Sequence, residues 1–185
     1  RQRQMCIRDS PLTVRFQKGG VLLKHRSIRA VAELSIYVAL AFIFGYLENL
    51  FPIPMPVPGM KLGFANVITV IVLYRRNFRD ALLVSLLRII LNAFTFGSLF
   101  SLLYSLAGSL LSLFIMTLIK RKTSLAPVSV SAAGGICHNL GQFITAGLLV
   151  GFPALIYYAP LLYFAGLISG ILIGILCNCV LNLVP

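Results

Sequence analysis

The sequence predicts an all-α integral membrane protein, a six-transmembrane-helix bundle with both termini on the cytoplasmic side (N-in/C-in). Three observations carry that expectation. Hydrophobic residues make up 59% of the chain, and mean hydropathy is +0.96. Only 11% of its 185 residues are charged, far too few to coat a soluble domain of this size. The 16 Lys and Arg residues are gathered in short clusters between apolar runs, as the positive-inside bias arranges them.

Residues 1–29 form a basic N-terminal segment holding eight of those cations. Its first ten residues, Arg1 to Ser10, lack the apolar stretch of a signal peptide. They read like translated sequencing-adapter read-through, so they are expected to be artefactual and disordered. Residues 30–185 form the transmembrane domain. The first span runs from Ala30 to Leu50, interrupted only by Glu33 and Glu48. It stops at Phe51-Pro52-Ile53-Pro54-Met55-Pro56-Val57-Pro58-Gly59, where alternating prolines forbid a helix. A short second span is expected from about Met60 to Tyr74, closed by Arg75-Arg76-Asn77-Phe78-Arg79. From Ala81 to Ile119 only Arg88 is charged. As helix that stretch is ~58 Å long, close to two crossings of a ~30 Å hydrocarbon core, with the turn expected at Thr95-Phe96-Gly97-Ser98. The fifth span starts after Pro127 and ends near Val150. The sixth runs from about Pro160 to Leu183. In it Gly166, Gly170 and Gly174 share one face and permit close helix contact.

Six crossings put the N-terminal segment, residues 75–79 and residues 120–122 on one side, which collects 14 of the 16 basic residues. The other side receives Lys61, and Arg88 stays within the membrane. The net charge of +12 therefore does not signal nucleic acid, which would need a basic stripe with aromatics on a water-facing element. The four cysteines form no CxxC pair or Cys/His ligand set, so buried inert thiols are expected.

Polar groups in hydrocarbon are the candidate functional residues, because each is costly there unless paired or hydrated. Arg88 lies about ten residues into the third span, ~15 Å deep, with Asn92 one turn further out. In the fifth span His138 falls near the midplane, Asn139 beside it and Gln142 one turn beyond. Glu48 closes the first span on the outer side; Lys61 and Asn66 begin the second there. Together these eight residues make a polar pocket opening outward. The alternative for Arg88 is a structural pairing with Glu48 or with helix carbonyls, and for the amides and the imidazole ordinary interhelical hydrogen bonds. Glu33 and Asp80 are expected at cytoplasmic helix ends, Asp80 at a helix N-terminus.

Catalytic patterns are scarce. The four acidic residues, Asp9, Glu33, Glu48 and Asp80, are far apart in sequence, so no aspartate-rich pair holds magnesium and a diphosphate. No GxxxxGK[ST] phosphate loop is present. No metal, cofactor or catalytic residue is expected.

Two segments carry a family resemblance. Pro58-Gly59-Met60-Lys61-Leu62-Gly63-Phe64-Ala65-Asn66 resembles a PGxKLGxAN signature, and Gly134-Gly135-Ile136-Cys137-His138-Asn139-Leu140-Gly141-Gln142 resembles GAxxHNxGQ. Both belong to a small bacterial membrane family called Gx transporter, also known as heptaprenyl diphosphate synthase component I. Leu87-Arg88-Ile89, Gly97-Ser98 and Glu48 fit it too, over about residues 30 to 183. The family is similar to the substrate-binding S-components of energy-coupling factor (ECF) transporters. The resemblance implies a multi-pass protein of the bacterial cell membrane that captures a small solute from outside. It also implies a partner transmembrane coupling subunit with ATPases. Ser35 with Ala39 and Ala41 with Gly45 are candidate small-residue contacts for such a partner. On that reading Arg88 supplies a cation for an anionic ligand group, and the proline-rich segment gates the pocket. The family's other name implies instead a non-catalytic membrane subunit in making the polyprenyl chain of menaquinone. A purely structural bundle within a larger membrane complex is the third reading.

Overall fold

The computed structural model describes residues 28–50, 63–96 and 99–183. The expectations for residues 1–27, the proline-rich stretch, Lys61 and Gly97-Ser98 lie outside the described residues. Within them every regular element is helical: α1 (Ile28–Leu50), α2 (Asn66–Arg75), α3 (Phe78–Phe96), α4 (Leu99–Lys122), α5 (Pro127–Val150), α6 (Phe152–Leu155) and α7 (Ala159–Leu183), with one 3-10 turn, Ile156–Tyr158, before α7.

Local chemistry sets the ends. Asn77 caps α3: its Oδ1 accepts the Asp80 backbone N–H at 2.9 Å, satisfying one of the donors a helix start leaves unpaired. Pro127 opens α5, where its missing N–H costs nothing. Gly151, with φ +103°, closes α5 through its N–H to the Gly147 carbonyl at 3.0 Å; a side chain would be strained there.

Among the described residues three stretches are long and apolar enough to cross a membrane: α1, α4 and the run Ile156–Leu183. Large apolar side chains cover their outer faces and those of their neighbours. Phe94 is 88% exposed, which suits a hydrocarbon surrounding far better than water. The expected second span is only a ten-residue helix, ~15 Å long, about half the thickness of a bilayer core. Asn66 through Leu73 are buried without exception, because α1, α3 and α7 surround α2. Val70, Val72 and Leu73 are the centre of the main apolar core.

The closest helix pairing is α5 with α7. A Cβ on Gly135 would run into the Gly166 carbonyl, and one on Gly170 would lie 2.6 Å from the Ser131 carbonyl. The glycine face of α7 therefore packs inside the bundle, as its four-residue spacing suggests. Of the two small-residue pairs on α1, Ala41 and Gly45 are buried, with Gly45 against Asn92 of α3. Ser35 and Ala39 stay exposed.

One end of the bundle gathers charge. Arg76 donates to Glu33 of α1 at 2.6 Å and to Asp80 of α3 at 2.7 Å. The hydrogen bond to Asp80, helped by the charges of Asp80 and Glu33, holds its guanidinium above its usual range. Lys120, at the end of α4, donates to the Leu73 carbonyl at 2.6 Å over the Tyr74 ring. Glu33 and Asp80 thus sit at helix ends, as expected. The cysteines divide: Cys177 is buried, but Cys179 is exposed.

Candidate functional site

Toward the other end, four helices each deliver a polar side chain to one place. Arg88 of α3 donates from Nη2 to Asn66 Oδ1 on the first turn of α2 and to Ser109 Oγ of α4 at 3.0 Å. The Asn66 amide lies 3.2 Å from His138 Nδ1. His138 Nε2 lies 3.0 Å from the Gln142 amide, one turn along α5. All five side chains are buried.

The network assigns its own protons. A neutral imidazole offers one donor and one acceptor. Asn66 Oδ1 is taken by Arg88, so the Asn66 NH2 faces Nδ1. The structure sets the Gln142 NH2 against Nε2, but a neutral ring cannot accept at both nitrogens. With Asn66 held by Arg88, the Gln142 amide is the one that must turn, its carbonyl oxygen then accepting from an Nε2 proton. The result is one directed chain, guanidinium to amide to imidazole to amide. The far end of the Gln142 amide, Arg88 Nε and Asn92 Oδ1 have no partner among the described residues.

Small residues make this convergence possible. Gly63, at φ +86°, would bring a Cβ to 2.7 Å from Asn66 Nδ2 and 3.1 Å from His138 Nε2. Its N–H donates to Glu48 Oε1 at 2.6 Å, so the end of α1 holds the chain just before α2. Gly108 of α4 leaves room for the imidazole, which a Cβ there would approach to 3.0 Å.

Beside the network is a cavity lined by Gly45, Glu48, Arg88, Asn92, Ser101 and Ser105. Glu48 and Arg88 share the lining of this cavity, and an acidic group near a buried cation offsets part of the cost of burying it. The cavity measures about 20 Å³, enough for roughly one water molecule and too small for a metabolite.

Of the eight residues the sequence singled out, Arg88, Asn66, His138 and Gln142 are joined by hydrogen bonds. Glu48 and Asn92 line the adjoining cavity, Asn92 also donating to the Arg88 carbonyl at 2.8 Å. Asn139 points elsewhere: its amide donates to the Leu162 carbonyl of α7 at 2.8 Å. Lys61 lies outside the described residues. The sequence reading missed Ser109, Ser101 and Ser105 on α4, and Gly63. The serines repeat every four residues, a helix-face signal in plain view.

Among the described residues no three His, Cys, Asp or Glu side chains come close enough to hold a metal ion. Glu33 and Asp80 both bind Arg76, at the opposite end from Arg88. In comparisons with known proteins, one family matches, described as heptaprenyl diphosphate synthase component I, over residues 37–180. No curated protein and no solved structure matches.

Proposed function

The chain belongs to the heptaprenyl diphosphate synthase component I family, and from that membership we propose that it is the membrane-embedded, non-catalytic subunit of a long-chain prenyl diphosphate synthase. The observation that carries this reading is the family match across residues 37–180, which includes both polar signatures. Prenyl transfer in the usual way needs clustered carboxylates to hold magnesium against a diphosphate. This sequence has four acidic residues in all, and two of the three that are described neutralise Arg76. The chemistry therefore belongs to a partner, and this chain supplies a membrane anchor and a polar centre within it.

The arrangement in the bilayer follows from the same residues. The basic end, with Arg76, Arg121 and Lys122, faces the cytoplasm, and the Arg88 network sits in the opposite half of a six-crossing bundle in the bacterial cell membrane. There α2 contributes the short crossing. The deciding experiment is a prenyl-transfer assay on membranes carrying the soluble catalytic partner, with and without this chain. Stimulated synthesis or lengthened product supports the proposal; identical products and rates reject it.

A second reading, capture of a small anionic solute for transport, rests on one observation, the unpartnered Nε of the buried Arg88, and requires the one-water cavity beside it to widen. Pairing that cation with a carboxylate or phosphate would satisfy both. Binding of candidate metabolites to the protein and to an Arg88→Ala variant tests it, and equal affinity in both removes Arg88 from any solute site.

A further inference from the structure

Between α1 and α3 lies a groove of about 650 Å³, walled by Val31, Ser35 and Ala39 on one side and by Leu83, Leu87 and Leu91 on the other. All six are exposed, and the buried Leu34 lies between the walls. Ser35, the one polar residue of the lining, donates its hydroxyl to the Val31 carbonyl at 3.0 Å. What remains for an occupant is apolar surface.

The two ends of the groove differ. Away from the basic end, the Phe96 ring stacks on Phe42 with centroids 6.0 Å apart and meets Tyr46 at 5.0 Å, joining α3 to α1. Toward the basic end, Arg79 continues the row of Leu83, Leu87 and Leu91 by one more turn. Arg76 bridges Glu33 and Asp80 there, which sets the starts of α1 and α3 level. Arg79 itself is exposed and has no partner among the described residues. Helical side chains lean toward the helix N-terminus, so its guanidinium reaches out of the hydrocarbon while its stem stays along the groove. From Leu83 to Leu91 the wall runs ~12 Å, within the ~15 Å depth of one leaflet's hydrocarbon.

We propose that this groove holds one acyl chain of an anionic phospholipid from the leaflet at the basic end, with the lipid phosphate paired to Arg79. Charge selects the headgroup: a guanidinium meets a phosphate with two parallel donors, and cations at a membrane surface draw anionic lipid. Length selects the tail. A transmembrane helix would need a seam running many turns, whereas the Phe96 contact ends this one. Residues 1–27, which lead into α1, hold a single acid, Asp9, among many cations, so they repel Arg79 rather than pair with it. The proposal requires only that the basic end lie at a bilayer surface; it stands apart from the synthase reading.

The test uses the full chain in lipid nanodiscs with a trace of phosphatidylglycerol carrying a diazirine in its acyl chain. Cross-links are mapped by mass spectrometry. Labelling is expected on α1 between Val31 and Phe42 and on α3 between Leu83 and Leu91. Leu172 and Leu176, exposed on α7, serve as the reference face, because the last turn of α7 has no basic residue. Changing the bulk lipid from phosphatidylcholine to phosphatidylglycerol should dilute the groove label about fivefold more than the reference label. Arg79→Gln, at an exposed position, should abolish that difference and leave the α7 label as it was. Equal dilution on both faces overturns the proposal, as does a difference that survives Arg79→Gln. Efficient disulfide pairing of two Ala39→Cys chains, in a background free of native cysteines, also overturns it, in favour of a second copy in the groove.

Discussion

Arg88 and His138 are joined through a single residue: Asn66 accepts from the guanidinium and turns its amide toward the imidazole. Three helices are thereby coupled at one side chain that begins the shortest of them. Within hydrocarbon such a chain has no water to replace a missing member, which makes Asn66 the most sensitive position in the network.

Asn66→Leu is expected to lower stability by about 1–3 kcal/mol, since it strands a buried donor on Arg88 and a buried acceptor on His138. Ser109→Ala removes only one of the Arg88 partners and should cost less, about 1 kcal/mol. Thermal unfolding in one detergent, comparing both variants with the parent, checks the order. A smaller loss for Asn66→Leu than for Ser109→Ala would remove Asn66 from its central place.

The glycines predict a second ordering. At Gly135 an added methyl meets the backbone carbonyl of Gly166, which cannot step aside; at Gly45 it meets the Asn92 side chain at 2.5 Å, which can rotate. Gly135→Ala should therefore destabilise by about 1–3 kcal/mol, as overpacking does, and Gly45→Ala by clearly less. The same unfolding assay decides, and equal losses would mean that α5 and α7 separate freely.

At the basic end, Arg76→Ala leaves the buried Asp80 carboxylate without its guanidinium, and about 1–3 kcal/mol should be lost. Glu33 is 44% exposed, so Glu33→Ala should cost no more than about 1 kcal/mol. Raising salt should weaken the Glu33 contact first. A Glu33 effect equal to that of Arg76 would show a tighter interhelical pair than its exposure allows.

Sidedness is testable with single cysteines in a background free of the native ones. Ser124→Cys, in the exposed link after α4, and Phe152→Cys, at the start of α6, lie at opposite ends. A membrane-impermeant maleimide should label Phe152→Cys in intact cells and Ser124→Cys only after permeabilisation. The reverse pattern would invert the proposed orientation.

Residue order alone determined that the described residues are helical, apolar on their outside and broken at the basic cluster after α2 and again between Lys122 and Pro127. Hydropathy and helix-breaking are local sums, so they are readable without a partner. The convergence of Arg88, Asn66, His138 and Gln142 was legible too, because polar side chains in an apolar bundle have few places to go. What the sequence could not show is where each helix turns its faces. His138 and Asn139 are neighbours, yet one residue is a rotation of ~100°; His138 joins the network across α2 and α4 while Asn139 bonds α7. Likewise the length of α2 and the near-absence of free space beside Arg88 depend on how closely glycines let the surrounding helices approach. Facing and spacing are properties of pairs of helices, and only tertiary packing sets them.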